Sequence, residues 1–317
     1  MIRILVVALI FVYVSNAKPM KSNDECHLER RLPEALIIGV KKSGTYALLK
    51  YLSINPQIGA ALRTNGCDLN EIHFFDSDEN YARGIDWYRS KMPRVCAARR
   101  VMVIEKTPGY LRSARAAERV FAFNSSIRLV LIVREPVKRV QSDLTHCDIR
   151  QKSRNLTRTC ARMNEKLEEI FADGSDLNAE QTRRLEAIEH IGNSLYYDHL
   201  SKWVAHFNLS NIYVVNGDAF IVKPWIELNK LEKFLNVDSY IREEHFYFDE
   251  KKRFYCVRSD QTMSNQGCLS ENKGRKNQVF LSQMVRDGLR RYFRRKNEQF
   301  FQLIGKSFNW WFHIILN

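Results

Sequence analysis

The feature of this sequence that most constrains its fold is the segment at residues 36–49, LIIGVKKSGTYALL. Apolar residues come first, followed by a turn that carries two lysines between Gly39 and Gly44, and then by a helical pattern. In such a turn the backbone N–H groups and the positive end of the helix dipole converge on an anion, and a lysine adds a full charge. The segment therefore predicts a phosphate site directly after a buried strand.

The position of the lysines separates this turn from the loop of nucleoside triphosphatases. That loop needs a lysine directly after its second glycine, where the amine reaches the β and γ phosphates. Here Thr45 follows Gly44, and Lys41 and Lys42 precede it. The turn therefore suits a nucleotide whose 5′ end carries something other than a triphosphate, which disfavours a kinase. An ordinary strand-to-helix turn with surface lysines is the alternative.

Residues 1–17 have the composition of an export signal. Arg3 precedes an apolar run at 4–14, and small residues lead up to Ala17. The run is shorter than the roughly 20 residues that span a bilayer. We therefore expect cleavage and no stable membrane span, with an uncleaved anchor as the alternative. Three glycosylation sequons, at Asn124, Asn155 and Asn208, agree with a chain in the secretory pathway.

The 317 residues carry a formal net charge of +14. Such an excess attracts polyanions at long range. In a secretory compartment these are sulfated glycans rather than nucleic acid, although a basic surface that only aids solubility is the alternative. Because the sequence has no Pro-, Gly- or Ser-rich linker and no repeat, we expect one domain over residues 32–317.

Seven cysteines in an exported chain predict disulfides and one odd thiol. Cys256 and Cys268 are the best candidate pair, because a polar, turn-rich segment between them is compatible with a hairpin. The sequence leaves the partners of the other cysteines open: Cys26, Cys67, Cys96, Cys147 and Cys160. The histidines and cysteines show no zinc-binding spacing, so we predict no metal site.

Four short apolar runs without alternation predict strands that are buried on both faces, at 35–40, 101–104, 129–133 and 212–215. Between them lie helical patterns, including 195–207 and a stretch with Leu281, Val285, Leu289 and Tyr292 on one face. This alternation predicts an α/β three-layer sandwich with a central parallel sheet. Ligands are then expected beyond the carboxyl ends of the strands, where the lysine turn lies.

Four further segments complete an ordered set with the lysine turn: NEIHFFD at 70–76, EKTPGY at 105–110, REP at 134–136 and NKGRK at 272–276. In this order, from about Leu32 to Trp310, the five segments closely resemble those of the heparan sulfate glucosaminyl 3-O-sulfotransferases. The resemblance implies a sulfotransferase fold, with a turn like a P-loop that binds the donor 3′-phosphoadenosine 5′-phosphosulfate (PAPS). It also implies heparan sulfate as the acceptor, and the Golgi lumen or secretion as the location.

The resemblance assigns two anion sites for the donor. The turn from Lys42 to Tyr46, which includes Ser43, Gly44 and Thr45, matches the family's cradle for the 5′ phosphosulfate. Arg134 and Ser142 match its residues for the 3′ phosphate. Tyr255 and the late loop of Lys273, Gly274 and Arg275 match its remaining donor contacts.

Sulfuryl transfer needs a base, an in-line path and positive charge where negative charge develops. By resemblance, Glu71 is the catalytic base, with His73 and Asp76 as neighbours that help to bind the acceptor. Lys42 and Lys106 are the cations on the transferring group, so this scheme needs no metal. The resemblance also places Thr107, Pro108 and His146 at the acceptor. Without the resemblance, the alternative is that Glu71 is a solvated surface acid and that His73 is a packed histidine with no catalytic role.

The chain departs from the family pattern at several positions. Tyr46 stands where relatives commonly carry an arginine, which removes one phosphate contact and predicts weaker donor binding. Ser43 stands where they carry a glycine, a small change provided that its φ is negative. His146 replaces a glutamine, Asn277 a histidine, and residues 62–69 resemble an insertion before Glu71, so we expect altered acceptor specificity.

Two other functions compete with 3-O-sulfation. A glucosaminyl N-sulfotransferase shares the fold, but that family usually has Gln where this chain has His73, and it carries an additional deacetylase domain. A secreted heparin-binding relative with weak or no catalysis is the second, because of Tyr46. The presence of Glu71, Lys106, Arg134 and Ser142 together argues against it.

Overall fold

The computed structural model describes residues 26–60, 71–172, 176–258, 267–268 and 278–310. The strands are β1 (Leu28–Arg30), β2 (Ala35–Gly39), β3 (Ile58–Ala60), β4 (Arg94–Cys96), β5 (Met102–Lys106), β6 (Arg128–Val133), β7 (Ile212–Asn216), β8 (Phe246–Asp249) and β9 (Phe254–Val257). The helices are α1 (Thr45–Leu52), α2 (Asp78–Ala82), α3 (Gly84–Ser90), α4 (Ala114–Phe123), α5 (Pro136–Ser153), α6 (Met163–Phe171), α7 (Ala179–Glu186), α8 (Glu189–Gly192), α9 (Tyr196–Val204), α10 (Gly217–Val222), α11 (Pro224–Phe234) and α12 (Gln283–Ile304). Short 3-10 turns lie at Tyr110–Arg112, Leu209–Asn211 and Glu243–His245.

Five parallel strands form the central sheet, in the order β3-β5-β2-β6-β7. The chain begins in the middle at β2, fills one side with β3 and β5, and then crosses to β6 and β7 on the other side. The carboxyl end of β2 is therefore a switch point, where loops leave in opposite directions and open a crevice.

Both faces of the sheet are covered, as the unbroken apolar strands predict. Alternate residues of β2 point to opposite sides, so that Leu36 and Ile38 pack in one core with Trp203. Ile37 packs in the other core with Leu48 and Trp225. The two layers of helices and the sheet between them confirm the predicted three-layer architecture.

A third apolar cluster joins α5 and α12 beside the sheet, through Val140, Leu144, Leu289 and other buried side chains. α5 begins with Pro136 at its first position, and the Glu135 side chain caps it by accepting hydrogen bonds from the N–H groups of Val137 and Lys138. These contacts fix the helix that carries the residues after the REP segment.

The four predicted strands are present, each within one or two residues of its predicted bounds. The short β3 at the sheet edge and two antiparallel pairs, β1–β4 and β8–β9, were not predicted, because strands of three or four residues leave little periodicity to read. Cys256 and Cys268 are bonded as predicted, and the structure adds the pairs Cys26–Cys96 and Cys147–Cys160. Cys67 lies outside the described residues.

Candidate active site

A cleft of about 1500 Å³ opens at the carboxyl ends of the central strands. The turn after β2 forms its floor, and α1 begins there at Thr45 without a side-chain cap. The backbone at Lys42 and Gly44 is left-handed, with φ of 69° and 107°, whereas Ser43 does not share that conformation. The serine at position 43 is therefore accommodated without backbone strain.

Ser43 Oγ and Arg134 Nε are among the buried polar atoms of the cleft that have no hydrogen-bond partner within the described part of the chain. Unpaired donors of this kind cost free energy in a folded protein unless a ligand satisfies them. They lie at the two positions that the sequence assigned to the two anionic ends of the donor. The residues present thus fit a ligand with two separate anionic groups.

Glu71 lies at the centre of a chain of charged contacts in the same cleft. Its Oε1 is 2.7 Å from Lys106 Nζ, and its Oε2 is 3.7 Å from His73 Nε2. The other ring nitrogen of His73 lies 2.9 Å from Asp76 Oδ2. The Asp76 carboxylate therefore fixes the orientation of the imidazole toward Glu71.

These contacts set the charge states of the cluster. Burial would raise the pKa of the Glu71 carboxyl, but the contacts with His73 and Lys106 outweigh burial and hold that pKa at about 2. The Asp76 and Glu71 carboxylates raise the pKa of His73 to about 10. At neutral pH the cluster consequently holds an ionised glutamate between two cations.

The segment that carries Glu71 is fastened to the end of β5 by Thr107. This side chain is fully buried, and its hydroxyl accepts a hydrogen bond from the N–H of Ile72 and donates one to Glu105. Burial raises the pKa of Glu105 to about 7. The Thr107 hydroxyl thus faces inward and positions the segment of Glu71, whereas Pro108 lines the cleft.

Asn80 and Gly109 shape the backbone around His73. His73 has a positive φ of 51°, and the Asn80 side-chain amide donates to the carbonyl groups of Ile72 and His73. A Cβ at Gly109 would lie 2.6 Å from Asp76 Oδ2 and 3.2 Å from His73 Cε1. Only glycine allows this close approach without displacing the His73–Asp76 pair.

Burial and neighbouring charges lower the pKa values of two side chains in the cleft, Lys42 and His146. Burial, followed by the charges of Lys41 and Arg139, lowers the pKa of Lys42 to about 8, although Asp143 and Glu71 act in the opposite direction. Burial, followed by the charge of Lys42, lowers the pKa of His146 to about 4. His146 is therefore a neutral side chain on the wall of the cleft, as the glutamine that it replaces would be.

Arg134 and Ser142 lie in the cleft on the β6 side. Asp218 Oδ1 is 3.8 Å from Arg134 Nε and orients the guanidinium group. Gly217 leaves room for that side chain, because a Cβ there would lie 2.8 Å from Arg134 Cγ. No pattern in the sequence indicated the roles of Asp218 and Gly217, because both follow β7, 83 or more residues after Arg134.

Tyr46 and Tyr255 also line the cleft. Tyr255 is adjacent to the disulfide-bonded Cys256, and the hydroxyl of Tyr51 donates to its backbone carbonyl. The late loop of Lys273, Gly274 and Arg275, together with Asn277 and the insertion at 62–69, lies outside the described residues. Among the described residues, two groups of histidine, cysteine or aspartate side chains lie close enough together to hold a metal ion. Each group contains a disulfide pair, so neither offers free thiolates.

The sequence reasoning missed a buried charge network beneath the turn. Asp143 accepts a hydrogen bond from Arg139 at 3.0 Å, and its carboxylate also lies 3.3 Å from His190 Nδ1 and 3.9 Å from Lys41 Nζ. Arg139, which is fully buried, also donates to the Lys41 carbonyl. Arg139 and Asp143 are four residues apart on α5, which was the one signal available in the sequence.

Comparisons with known proteins agree with this geometry. The sulfotransferase domain family matches residues 32–306. Heparan sulfate glucosamine 3-O-sulfotransferase 5 of Mus musculus is 36% identical over 296 residues, which cover 92% of this chain and 79% of that protein. The Homo sapiens protein of the same name is 37% identical, over 89% of this chain and 75% of its own length.

A solved sulfotransferase from Alicyclobacillus acidocaldarius superposes with a TM-score of 0.59, covering 88% of this chain and 99% of that one at 19% identity. This likeness supports the fold. With the parallel sheet, the lysine turn and the family match, the fold and the cleft define a sulfotransferase. Within that class, the chain belongs to the heparan sulfate glucosamine 3-O-sulfotransferases.

Proposed function

We propose that this protein transfers the sulfuryl group of PAPS to the 3-hydroxyl of glucosamine units in heparan sulfate. One observation carries the proposal: Glu71, held between Lys106 and His73, shares a cleft with the lysine turn after β2. The names of its relatives support the acceptor and the modified position, and the match to the sulfotransferase family supports PAPS as the donor.

The acid–base step belongs to Glu71. Its low pKa keeps the carboxylate ionised throughout the physiological range, so Glu71 is in the form that accepts a proton when the sugar hydroxyl binds. Asp76 holds His73 in its charged form beside Glu71, where the imidazolium donates a hydrogen bond to an acceptor oxygen. The attacking hydroxyl is thereby oriented as it loses its proton.

When bound, PAPS supplies the sulfuryl group at its 5′ end. The new bond forms between the sugar oxygen and sulfur, the bond from sulfur to the 5′-phosphate oxygen breaks, and adenosine 3′,5′-bisphosphate leaves. Lys42 and Lys106 stabilise the negative charge on the oxygens that surround sulfur. Because these amines supply the charge that magnesium supplies in phosphoryl transfer, we propose that no metal takes part.

The remaining donor contacts follow the family pattern. Arg134 and Ser142 bind the 3′ phosphate, and the turn from Lys42 to Tyr46 holds the 5′ phosphosulfate. Tyr255 and the loop at 273–275 complete the donor site. Pro108 and His146 face the acceptor.

We also propose that residues 32–317 act as one domain in the Golgi lumen or after secretion, with residues 1–17 as the export signal. Among the helices of the described residues, none is long and apolar enough to cross a membrane. The exposed side chains of Asn155 and Asn208 are accessible for glycosylation.

Incubation of the purified protein with radiolabelled PAPS and heparan sulfate, followed by disaccharide analysis, tests the function. Label at the 3-O position of glucosamine supports the proposal. Label on nitrogen would instead identify a glucosaminyl N-sulfotransferase. Glycan binding without any transfer would identify a heparin-binding protein, and stabilisation by ATP with magnesium but not by adenosine 3′,5′-bisphosphate would indicate a kinase.

A further inference from the structure

One exposed carboxylate stands between two cations on the wall of the cleft. Glu189 Oε1 lies 3.7 Å from Lys41 Nζ and 3.7 Å from Arg112 Nη1. The three side chains are between 43% and 60% exposed and line the same cleft as Glu71. We call Lys41, Arg112 and Glu189 the bridged wall.

The bridged wall adjoins the groups that handle the acceptor. Lys41 directly precedes Lys42, and Arg112 follows Gly109, which packs against His73. Lys41 and Arg112 are therefore each within a few residues of a group that lies at the proposed reacting centre. Because the three side chains line the same cleft as Glu71, a glycan that presents a hydroxyl to Glu71 and continues along this wall would lie beside them.

Buried groups hold the bridged wall in place from beneath. Asn193, which is 3% exposed, accepts a hydrogen bond from Arg112 at 3.0 Å. Asp143 supports Lys41, and Arg139 donates to the His190 carbonyl next to Glu189. The fold thus fixes the two cations and the backbone next to Glu189, which places the carboxylate between them.

A carboxylate is an unexpected neighbour for a polyanion. Without it, Lys41 and Arg112 would offer two charges to a sulfate, but Glu189 neutralises about one of them and repels an incoming anion. A sulfate group must compete with Glu189 for each cation, whereas an uncharged hydroxyl needs no such exchange.

From this arrangement we propose that Glu189 is a specificity-determining residue, which favours heparan sulfate segments that carry little sulfate beside the modified glucosamine. The inference rests on the proposed function, because it takes heparan sulfate as the acceptor. It concerns the sugar that lies against the bridged wall and not the hydroxyl that is modified.

Two variants, Glu189→Gln and Glu189→Lys, test this role by changing the charge in two steps. The matched controls are Glu169→Gln and Glu169→Lys, at an exposed glutamate on α6 that does not line the cleft. Each protein receives a mixture of low-sulfate heparan sulfate and heparin, and the ratio of the two kcat/KM values is measured. Binding of each glycan is measured separately at several salt concentrations.

We expect the ratio to move toward heparin by about 3-fold for Glu189→Gln and by about 10-fold for Glu189→Lys, with no change in the controls. The affinity for heparin relative to low-sulfate heparan sulfate should rise in the same order. The difference between the variants and the unaltered protein should disappear at high salt. A structural role for Glu189 would instead lower both rates together and leave the ratio unchanged.

An unchanged ratio in both variants would overturn the inference, as would an equal shift in the Glu169 controls. Failure of the proposed function looks different, because the unaltered protein would then transfer no sulfate to either glycan. In that case the binding measurements still decide whether Glu189 discriminates between sulfated and unsulfated chains.

Discussion

The amine of Lys106 lies 2.7 Å from a carboxylate oxygen of Glu71, and the lysine side chain is only 3% exposed. The proposed base is therefore paired with one of the cations assigned to the transferring group. A donor sulfonate that draws Lys106 toward itself weakens this pair and makes Glu71 a stronger proton acceptor. In the proposed mechanism, binding of the donor and activation of the base would thereby be coupled through one amine.

Glu71→Gln removes the base while keeping the size of the side chain. We expect kcat to fall by about 100-fold or more, since general base catalysis contributes on that order or above. Binding of adenosine 3′,5′-bisphosphate, measured by calorimetry, should change little. Near-normal turnover by this variant would show that another group accepts the proton.

The pH dependence should report Lys42. Because burial lowers its pKa to about 8, the free enzyme keeps this charge below pH 8 and loses it above. We expect kcat/KM for the donor to fall along an alkaline limb near pH 8, and Glu71 to give no acid limb between pH 5 and 7. In Lys42→Arg, whose charge persists, the limb near pH 8 should disappear. Its persistence would assign the limb to another group.

Arg134→Ala should weaken donor binding through the 3′ phosphate. Loss of a charge-assisted hydrogen bond costs about 1.5–3 kcal/mol, so we expect the donor KM to rise by roughly 10-fold to 100-fold. Calorimetry should show weaker binding of adenosine 3′,5′-bisphosphate but unchanged binding of adenosine 5′-monophosphate. Arg128→Ala, at the opposite end of β6, is the control. Equal weakening for both nucleotides would contradict the assignment.

Gly109→Ala should disturb the His73–Asp76 pair without touching the donor site. The new methyl group would lie 2.6 Å from Asp76 Oδ2, so the carboxylate must move away from the imidazole. We expect kcat to fall on the order of 10-fold to 100-fold, as misplacement of catalytic groups does. NMR titration should show a lower pKa for His73, and an unchanged pKa would rule out this mechanism.

Replacing both Cys256 and Cys268 by serine should lower the free energy of unfolding by about 3 kcal/mol, from the chain entropy of a short loop. Denaturant titration measures the loss. Because Tyr255 is next to Cys256, the donor KM should also rise. Loss of the Cys26–Cys96 pair, which lies away from the cleft, should reduce stability and leave that KM unchanged.

Local sequence was sufficient for the elements that carry the site. Residues 36–49 specify their own strand, turn and helix, because buried apolar residues, glycines and lysines follow one another in the order that such a unit needs. The same holds for the strands that end at Lys106 and Val133, and for the disulfide between Cys256 and Cys268. The short edge strand β3 is the counterexample, since three residues have no readable period.

The sequence by itself determined the parallel sheet, the anion-binding turn and the residue types that resemble a sulfotransferase, because each of these depends on neighbours within a few positions. Only the tertiary structure decided that Thr107 faces inward, that Asp218 orients Arg134, and that Glu189 bridges two cations. These contacts join segments 35 to 148 residues apart. The contacting residues come together because the crossover connections bring the ends of separate strands to one edge of the sheet. No local sequence pattern predicts these contacts.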